Sequence, residues 1–237
     1  MFKYTLDNKR YYTLNYYNQM KYGCKVMKIS LNAGFTCPNI DGTKGTGGCI
    51  YCLSGSNKNK EKDLVKQFYE VRDIMEKKWP GSKYIGYFQA NTNTYAPLDE
   101  LKGKYESILA LPNVIGLNIA TRPDSISDDV LDYLEELSKR TNLVIELGLQ
   151  TTNDKTAELI NRCSTLKEFD DCLKKLNKRN IYVVVHIING LPYETKEDMI
   201  NTVKYLSNKK ILGIKIHMLH VLKDTKLEEL YNKKLEY

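Results

Sequence analysis

Short apolar runs that alternate with amphipathic segments are the feature that most restricts the fold of this chain. After the second run their starts recur about every 30 residues, which is the length of one strand–helix unit. The segments between them carry apolar side chains at helical spacing, and Thr165 with Glu168 matches a helix-capping box. This alternation predicts a parallel sheet with helices outside it. The predicted strands are residues 25–31, 84–89, 114–120, 143–149, 181–188 and 213–219.

The two faces of the predicted strands differ in polarity. In the fourth strand an apolar face opposes Glu146 and Gln150, and in the sixth strand Lys215 and His217 share one face. Strands of a doubly wound sheet are apolar on both faces, so the pattern favours an α/β partial barrel with a polar cavity. Because unpaired buried charges are costly, the alternative is that these groups form ion pairs with one another in a structural core.

The composition suits one globular domain over residues 1–237, with residues 1–24 as an N-terminal extension. Hydrophobic residues make up 42% of the chain and charged residues 27%, and no linker is visible. No stretch reaches the ~18 apolar residues of a membrane helix, and the first residues form no secretory signal. We therefore expect a soluble, cytoplasmic protein with no membrane partner. The net charge of +7 permits a polyanionic partner such as RNA without requiring one.

A glycine-rich loop with three cysteines follows the first predicted strand. Its cysteines are Cys37, Cys49 and Cys52, and four of the chain's 14 glycines lie between the first two of them. Thiolates suit zinc or iron–sulfur clusters. A structural zinc site needs four ligands, and only Cys24 would complete such a set, whereas three thiolates leave one iron of a [4Fe–4S] cluster open. The spacing favours the cluster; zinc and metal-free cysteines are the alternatives.

These features together resemble the radical S-adenosylmethionine (radical SAM) superfamily. The long first gap between the cysteines is similar to the variant in the catalytic subunit of Elongator. More closely, the chain resembles a poorly characterised bacterial group next to that branch. The resemblance implies a partial (β/α)6 TIM-like barrel with a [4Fe–4S] loop after the first strand. It is carried, in order along nearly the whole chain, by residues 28–38, 87–97, 121–124, 146–151, 186–192 and 214–217.

The resemblance also implies roles for individual residues. Cys37, Cys49 and Cys52 would ligate the cluster, and the amine and carboxylate of S-adenosylmethionine would chelate its open iron. Glu146 and Gln150 would face the ribose. The backbone around residues 188–190 would flank the adenine. The other implied cofactor-binding residues are Gln89, Asn91, Thr92 and Asn93 near the methionyl amine, His186, Asn189 and Gly190 on the fifth strand and just after it, and Lys215 and His217 on the far wall.

The implied reaction is reductive cleavage of S-adenosylmethionine to methionine and a 5′-deoxyadenosyl radical, with electrons from a flavodoxin- or ferredoxin-type reductant. Because Elongator's catalytic subunit acts on wobble uridines, the resemblance implies modification of a wobble uridine of tRNA. The alternatives are a radical SAM enzyme that acts on a small molecule, and a non-catalytic, zinc- or cluster-stabilised RNA-binding module.

The chain departs from the family pattern at three places. Cys163 and Ser164 stand where a Gly-His pair is expected, and Tyr193 stands where glycine is usual. The group normally continues well past the sixth strand, whereas this sequence stops at Tyr237. The first departure puts a histidine role at that position in doubt.

The first 30 residues are basic and rich in tyrosine. They contain six Lys or Arg residues against Asp7 alone, interleaved with six tyrosines. Aromatic faces among cations stack unpaired bases while the charges hold phosphates, which predicts an RNA-binding segment. The alternative is an amphipathic helix whose tyrosines cover the barrel and whose lysines are solvated.

Overall fold

The computed structural model describes residues 2–4, 6, 8–53 and 62–233. Within these residues the strands are β1 (Val26–Leu31), β2 (Lys83–Phe88), β3 (Val114–Thr121), β4 (Asn142–Gln150), β5 (Tyr182–Asn189) and β6 (Gly213–Met218). The helices there are α1 (Leu14–Tyr22), α2 (Leu64–Lys78), α3 (Leu98–Leu109), α4 (Asp128–Arg140), α5 (Asp154–Leu159), α6 (Leu166–Lys178), α7 (Lys196–Ser207) and α8 (Lys226–Asn232). Each strand end lies within one residue of the prediction.

The strands form one parallel sheet in the order β1-β2-β3-β4-β5-β6. A doubly wound sheet reverses its strand order at a switch point, and this sheet does not. The sheet instead curls into a half-barrel with its helices outside, as the sequence predicts. Because all six strands run the same way, the loops that follow them gather at one end of the half-barrel.

The hydrophobic core lies between the outer face of the sheet and the helices. Leu117 and Ile145 are completely buried there, and the Phe88 and Tyr105 rings meet edge to face with their centroids 4.9 Å apart. Helix α6 begins with the predicted capping box of Thr165 and Glu168. In the described part of the chain, no helix is both long and apolar enough to cross a membrane.

The tyrosine-rich segment forms α1 and packs at the amino ends of the strands. The Nζ atom of Lys21 lies 2.8 Å from Oδ1 of Asn142, the first residue of β4, and over the ring of Tyr182, the first residue of β5. The helix ends at Gly23, whose φ of +67° suits a residue without a side chain. The segment therefore covers the barrel end opposite the cysteine loop, while Tyr11 and Tyr12 remain exposed.

Candidate cofactor site at the carboxyl ends of the strands

A cavity of about 360 Å³ lies at the carboxyl ends of the strands. The cysteine loop forms one wall and strand residues form the other, because parallel strands deliver their final side chains to the same end. The predicted site residues that line the cavity are Cys37, Cys49, Cys52, Gln89, Asn91, Thr92, Glu146, Gln150, His186 and His217. Asn93, Asn189, Gly190 and Lys215 do not line it. Asn93 is instead buried, and its amide donates to the Ala120 carbonyl at 2.9 Å.

The cysteine loop is held by the segment that follows α5. The side chain of Asn161 donates to the carbonyls of Gly48 (2.8 Å) and Thr46 (3.2 Å), and the Ile50 amide donates to the Ile160 carbonyl. Asn161 has a φ of +55°, a left-handed conformation that asparagine tolerates better than most residues. These contacts join residues more than 100 positions apart, so the fold ties the loop to the segment that follows α5.

The protein around Cys49 and Cys52 disfavours bare thiolates. Burial raises the pKa of the Cys49 thiol, and the nearby Cys37 contributes in the same direction. Partial burial, followed by repulsion from Cys49 and Cys37, raises the pKa of Cys52 to about 12. Such thiols lose their protons when a bound cation replaces them.

The donor set of three thiols in one cavity fits a [4Fe–4S] cluster with one iron left open. The same residues do not form a site for a single metal ion, because the described part of the chain has no group of three Cys, His, Asp or Glu side chains placed to hold one. Two arginines, Arg122 and Arg162, also line the cavity and place positive charge near the cysteines.

These two arginines are site residues that the sequence analysis missed. Arg122 pairs with both carboxylate oxygens of Asp124 at 2.7 and 2.9 Å and donates to the carbonyls of Arg162 and Cys163. Arg162 is buried and donates to the Thr151 carbonyl at 2.8 Å. The run 121–124 carried the family resemblance, and its Arg-Asp pair is the signal from which Arg122 was recognisable. His220 lines the cavity as well.

Glu146 is the centre of a buried ionic network. Its carboxylate accepts hydrogen bonds from Lys28, Asn118 and His186, the last at 2.7 Å, and the Lys215 Nζ lies 3.6 Å away. Burial by itself favours the protonated acid, but the His186 hydrogen bond and the Lys28 charge hold the pKa of Glu146 well below its usual range. The charged groups thus form ion pairs with one another, which is the alternative that the sequence analysis left open. Glu146 nevertheless also lines the cavity.

Two histidines extend this network toward the cavity. The Nε2 atom of His217 lies 3.3 Å from Nδ1 of His186, whose own Nε2 faces Glu146. Burial, reinforced by His186 and Lys215, lowers the pKa of His217 to about 4. Burial also lowers the pKa of His186, so both imidazoles are neutral near pH 7. In one tautomer, His186 donates its Nε2 proton to Glu146, and its Nδ1 atom accepts the Nε2 proton of His217. The two bonds form a hydrogen-bonded chain from the cavity to the buried carboxylate.

Two polar residues of the cavity wall have left-handed backbone conformations. Asn91, three residues after β2, has a φ of +60°, and Gln150, the last residue of β4, has a φ of +64°. The Gln150 side chain lies over Gly148, where an added Cβ would come within 2.8 Å of Gln150 Nε2. Such strain concentrates at functional sites, and Gly148 leaves the room that this orientation of Gln150 needs.

The fold and the cavity define the class of the protein. The radical SAM superfamily matches residues 40–206, and the chain belongs to this family. The resemblance drawn from the sequence is thereby confirmed. Enzymes of the family use a [4Fe–4S] cluster and S-adenosylmethionine.

Relatives with curated sequences include proteins of unassigned function. The chain is 48% identical over 241 residues to the uncharacterized protein YtqA of Bacillus subtilis (strain 168), covering all of this chain and 75% of that protein. It is 35% identical over 207 residues to protein YhcC of Escherichia coli (strain K12), covering 86% and 66%. A distant relative is the tRNA-2-methylthio-N(6)-dimethylallyladenosine synthase of Thermoanaerobacter sp. (strain X514), 26% identical over 185 residues, covering 74% and 37%.

Solved structures share the fold at low identity. The archaeal Elp3 of Methanocaldococcus infernus superposes with a TM-score of 0.59 at 16% identity, covering 89% of this chain and 49% of that one. The methyltransferase TsrM of Kitasatospora setae, solved with cobalamin and a [4Fe–4S] cluster bound, has a TM-score of 0.56 at 14% identity, covering 93% and 38%. The chain thus spans half or less of the length of these proteins.

Proposed function

We propose that this chain is the catalytic core of a radical SAM enzyme that modifies tRNA. The observation that carries the catalytic part is that three thiols and the polar strand ends line a single cavity. A non-catalytic RNA-binding module has no use for such a cavity inside its barrel. The tRNA part rests on charge, on exposed aromatic side chains and on a distant tRNA-modifying relative.

In this proposal Cys37, Cys49 and Cys52 hold the cluster, and Gln89, Asn91 and Thr92 face the methionyl amine of S-adenosylmethionine. When bound, the cluster and S-adenosylmethionine supply reductive cleavage to methionine and a 5′-deoxyadenosyl radical. The protein orients both groups and excludes water around them.

The opposite walls of the cavity suit the rest of the cofactor. Gln150 faces the ribose from the end of β4, with Glu146 below it. Arg162 has an Nη2 atom that forms no hydrogen bond among the described residues, although the Oδ1 atom of the exposed Asp154 lies 3.6 Å from it. A buried guanidinium with a spare donor suits a carboxylate, so we assign it the methionyl carboxylate.

Three observations support tRNA as the substrate. The net charge is +7, and Tyr11 and Tyr12 are 65% and 52% exposed among basic residues. The relative from Thermoanaerobacter is by name a tRNA-modifying synthase. Because a strand of six residues is about 20 Å long, an RNA that contacts both α1 and the cavity has to pass along the side of the barrel.

The first test is anaerobic reconstitution with iron and sulfide, followed by an assay for 5′-deoxyadenosine with and without bulk tRNA. We expect formation that depends on S-adenosylmethionine and rises when tRNA is added. Replacing Cys37, Cys49 or Cys52 with serine should remove most of the iron, because each thiolate holds one iron of the cluster. Cys24→Ser is the control and should keep the iron, because Cys24 precedes β1 at the barrel end opposite the cysteine loop; loss of the iron in that variant would contradict the three-thiolate cluster.

The second test is filter binding of tRNA across a salt series. Phosphate contacts make affinity fall steeply with salt, and neutralising one contact lowers the salt slope by about one. We expect a lower slope for Lys9→Gln with Arg10→Gln. The charge-matched control is Lys174→Gln with Lys178→Gln, on the exposed face of α6. An intact, cluster-loaded protein without salt-dependent binding would favour the small-molecule alternative.

A further inference from the structure

An asparagine inside the cysteine loop points a side-chain amide at one of the cluster thiols. Asn39 lies between Cys37 and Cys49 and is completely buried. Its Nδ2 atom is 3.7 Å from the Cys49 Sγ and also donates to the backbone carbonyl of Asn161. A side-chain amide has two N–H donors, and these two contacts use both.

The orientation of this amide is determined by its surroundings. The Asn161 carbonyl is an acceptor only, so the NH2 group of Asn39 has to face it; a flipped amide would place two oxygens together. The Asn39 backbone is held too, because its carbonyl accepts from the Gly48 amide at 2.8 Å.

The oxygen of the Asn39 amide occupies space that a glycine leaves open. A Cβ atom added at Gly45 would lie 2.4 Å from Asn39 Oδ1 and 2.8 Å from the Sγ of Cys163. The Asn161 carbonyl and the Gly48 amide therefore hold Asn39 with one N–H directed at sulfur, and Gly45 leaves the room that the amide oxygen needs.

We propose that Asn39 tunes the reduction potential of the cluster through an N–H···S hydrogen bond to Cys49. Hydrogen bonds to the sulfurs are among the factors that set the potential of an iron–sulfur cluster. Reduction adds one electron to the cluster and increases the negative charge on its sulfurs, so a donor stabilises the reduced form more than the oxidised form. Asn39 thus raises the potential and helps the external reductant to deliver the electron. This inference rests on the proposed cluster.

The test is a redox titration of the reconstituted protein, followed by the electron paramagnetic resonance signal of the reduced cluster. Asn39→Leu keeps the volume and removes both donors. We expect the ratio of reduced to oxidised cluster at a given solution potential to fall about tenfold, which is about 59 mV for a one-electron couple. Asn39→Asp, which replaces the donor with a carboxylate, should shift the potential further in the same direction.

Asn161→Gly is a control that distinguishes the effect of the Asn39 hydrogen bond from the effect of a change in loop shape. Glycine accepts the left-handed φ of Asn161 and keeps the carbonyl that orients Asn39, but it loses the side-chain bonds to Gly48 and Thr46. We expect its potential to stay close to the wild-type value. An equal shift in this control, or a wild-type potential in a fully loaded Asn39→Leu protein, would overturn the proposal.

A direct measurement on the wild-type protein covers the case in which the Asn39 variants do not load iron. With selective ¹⁵N-asparagine labelling, pulsed electron paramagnetic resonance of the reduced cluster should detect coupling to a side-chain nitrogen. Absence of this coupling would refute the hydrogen bond. Failure of the wild-type protein to assemble any cluster is a different result, since it contradicts the proposed function itself.

Discussion

Replacing Glu146 with glutamine keeps the shape of the side chain and removes the negative charge at the centre of the buried network. In the wild-type protein this carboxylate receives hydrogen bonds from Lys28, Asn118 and His186 and lies 3.6 Å from the Lys215 Nζ. The variant leaves two ammonium groups inside the half-barrel without their counter-ion. We therefore expect Glu146→Gln to lower the free energy of unfolding and to leave the sheet topology unchanged.

The magnitude follows from the burial of the partners. Removing one member of a fully buried ion pair costs about 3–5 kcal/mol. The Lys28 and Lys215 side chains are 22% and 34% exposed, so water screens part of their charge and about 2–3 kcal/mol is the expected loss. At about 2–4 °C per kcal/mol for a domain of this size, the melting temperature should fall by roughly 4–12 °C.

Thermal unfolding followed by circular dichroism measures this loss, with Glu136→Gln on the exposed side of α4 as the matched control. Because the folded-state pKa of Glu146 lies below its unfolded value, the stabilisation is present above about pH 4.3 and disappears at lower pH. The difference between wild type and variant should therefore shrink on acidification. A melting temperature equal to that of wild type, combined with weaker S-adenosylmethionine binding by calorimetry, would refute the network argument and favour a ribose contact.

Two further predictions concern the loop and the pH dependence of folding. Gly45→Ala should lower the free energy of unfolding by about 1–3 kcal/mol through overpacking, and it should reduce iron loading, because the new Cβ would collide with the buried Asn39 amide. The control is Gly103→Ala, whose Cβ meets no atom within 4 Å and which should stabilise α3 by about 0.5–1 kcal/mol. Since the pKa of His217 falls from 6.5 to about 4 on folding, the unfolded chain binds the extra proton and stability is lost as pH drops from 6.5 to 4. His217→Gln should weaken that loss in urea titrations at pH 7.5 and pH 5, and an unchanged loss would contradict the assigned pKa.

Local patterns in the sequence were sufficient to predict the elements and the family. Alternating apolar and amphipathic runs reflect which face of each strand and helix is buried, so six strand positions could be predicted to within one residue. The capping box at Thr165 is likewise encoded by neighbouring residues. The three cysteines are close in sequence, and their chemistry indicated the cluster that members of the family use.

The partners of the polar residues were decided only by the tertiary structure. Glu146 meets Lys28 across 118 positions, and Asn161 reaches the cysteine loop across more than 110. No periodicity encodes such pairings, because they arise when the sheet curls and brings β1 opposite β4 and the segment after α5 against the loop. The placement of α1 was likewise decided by the tertiary structure. Its composition allowed either an RNA-binding segment or a cover for the barrel. The helix packs on the amino ends of β4 and β5, which places its tyrosines at the barrel end opposite the cavity.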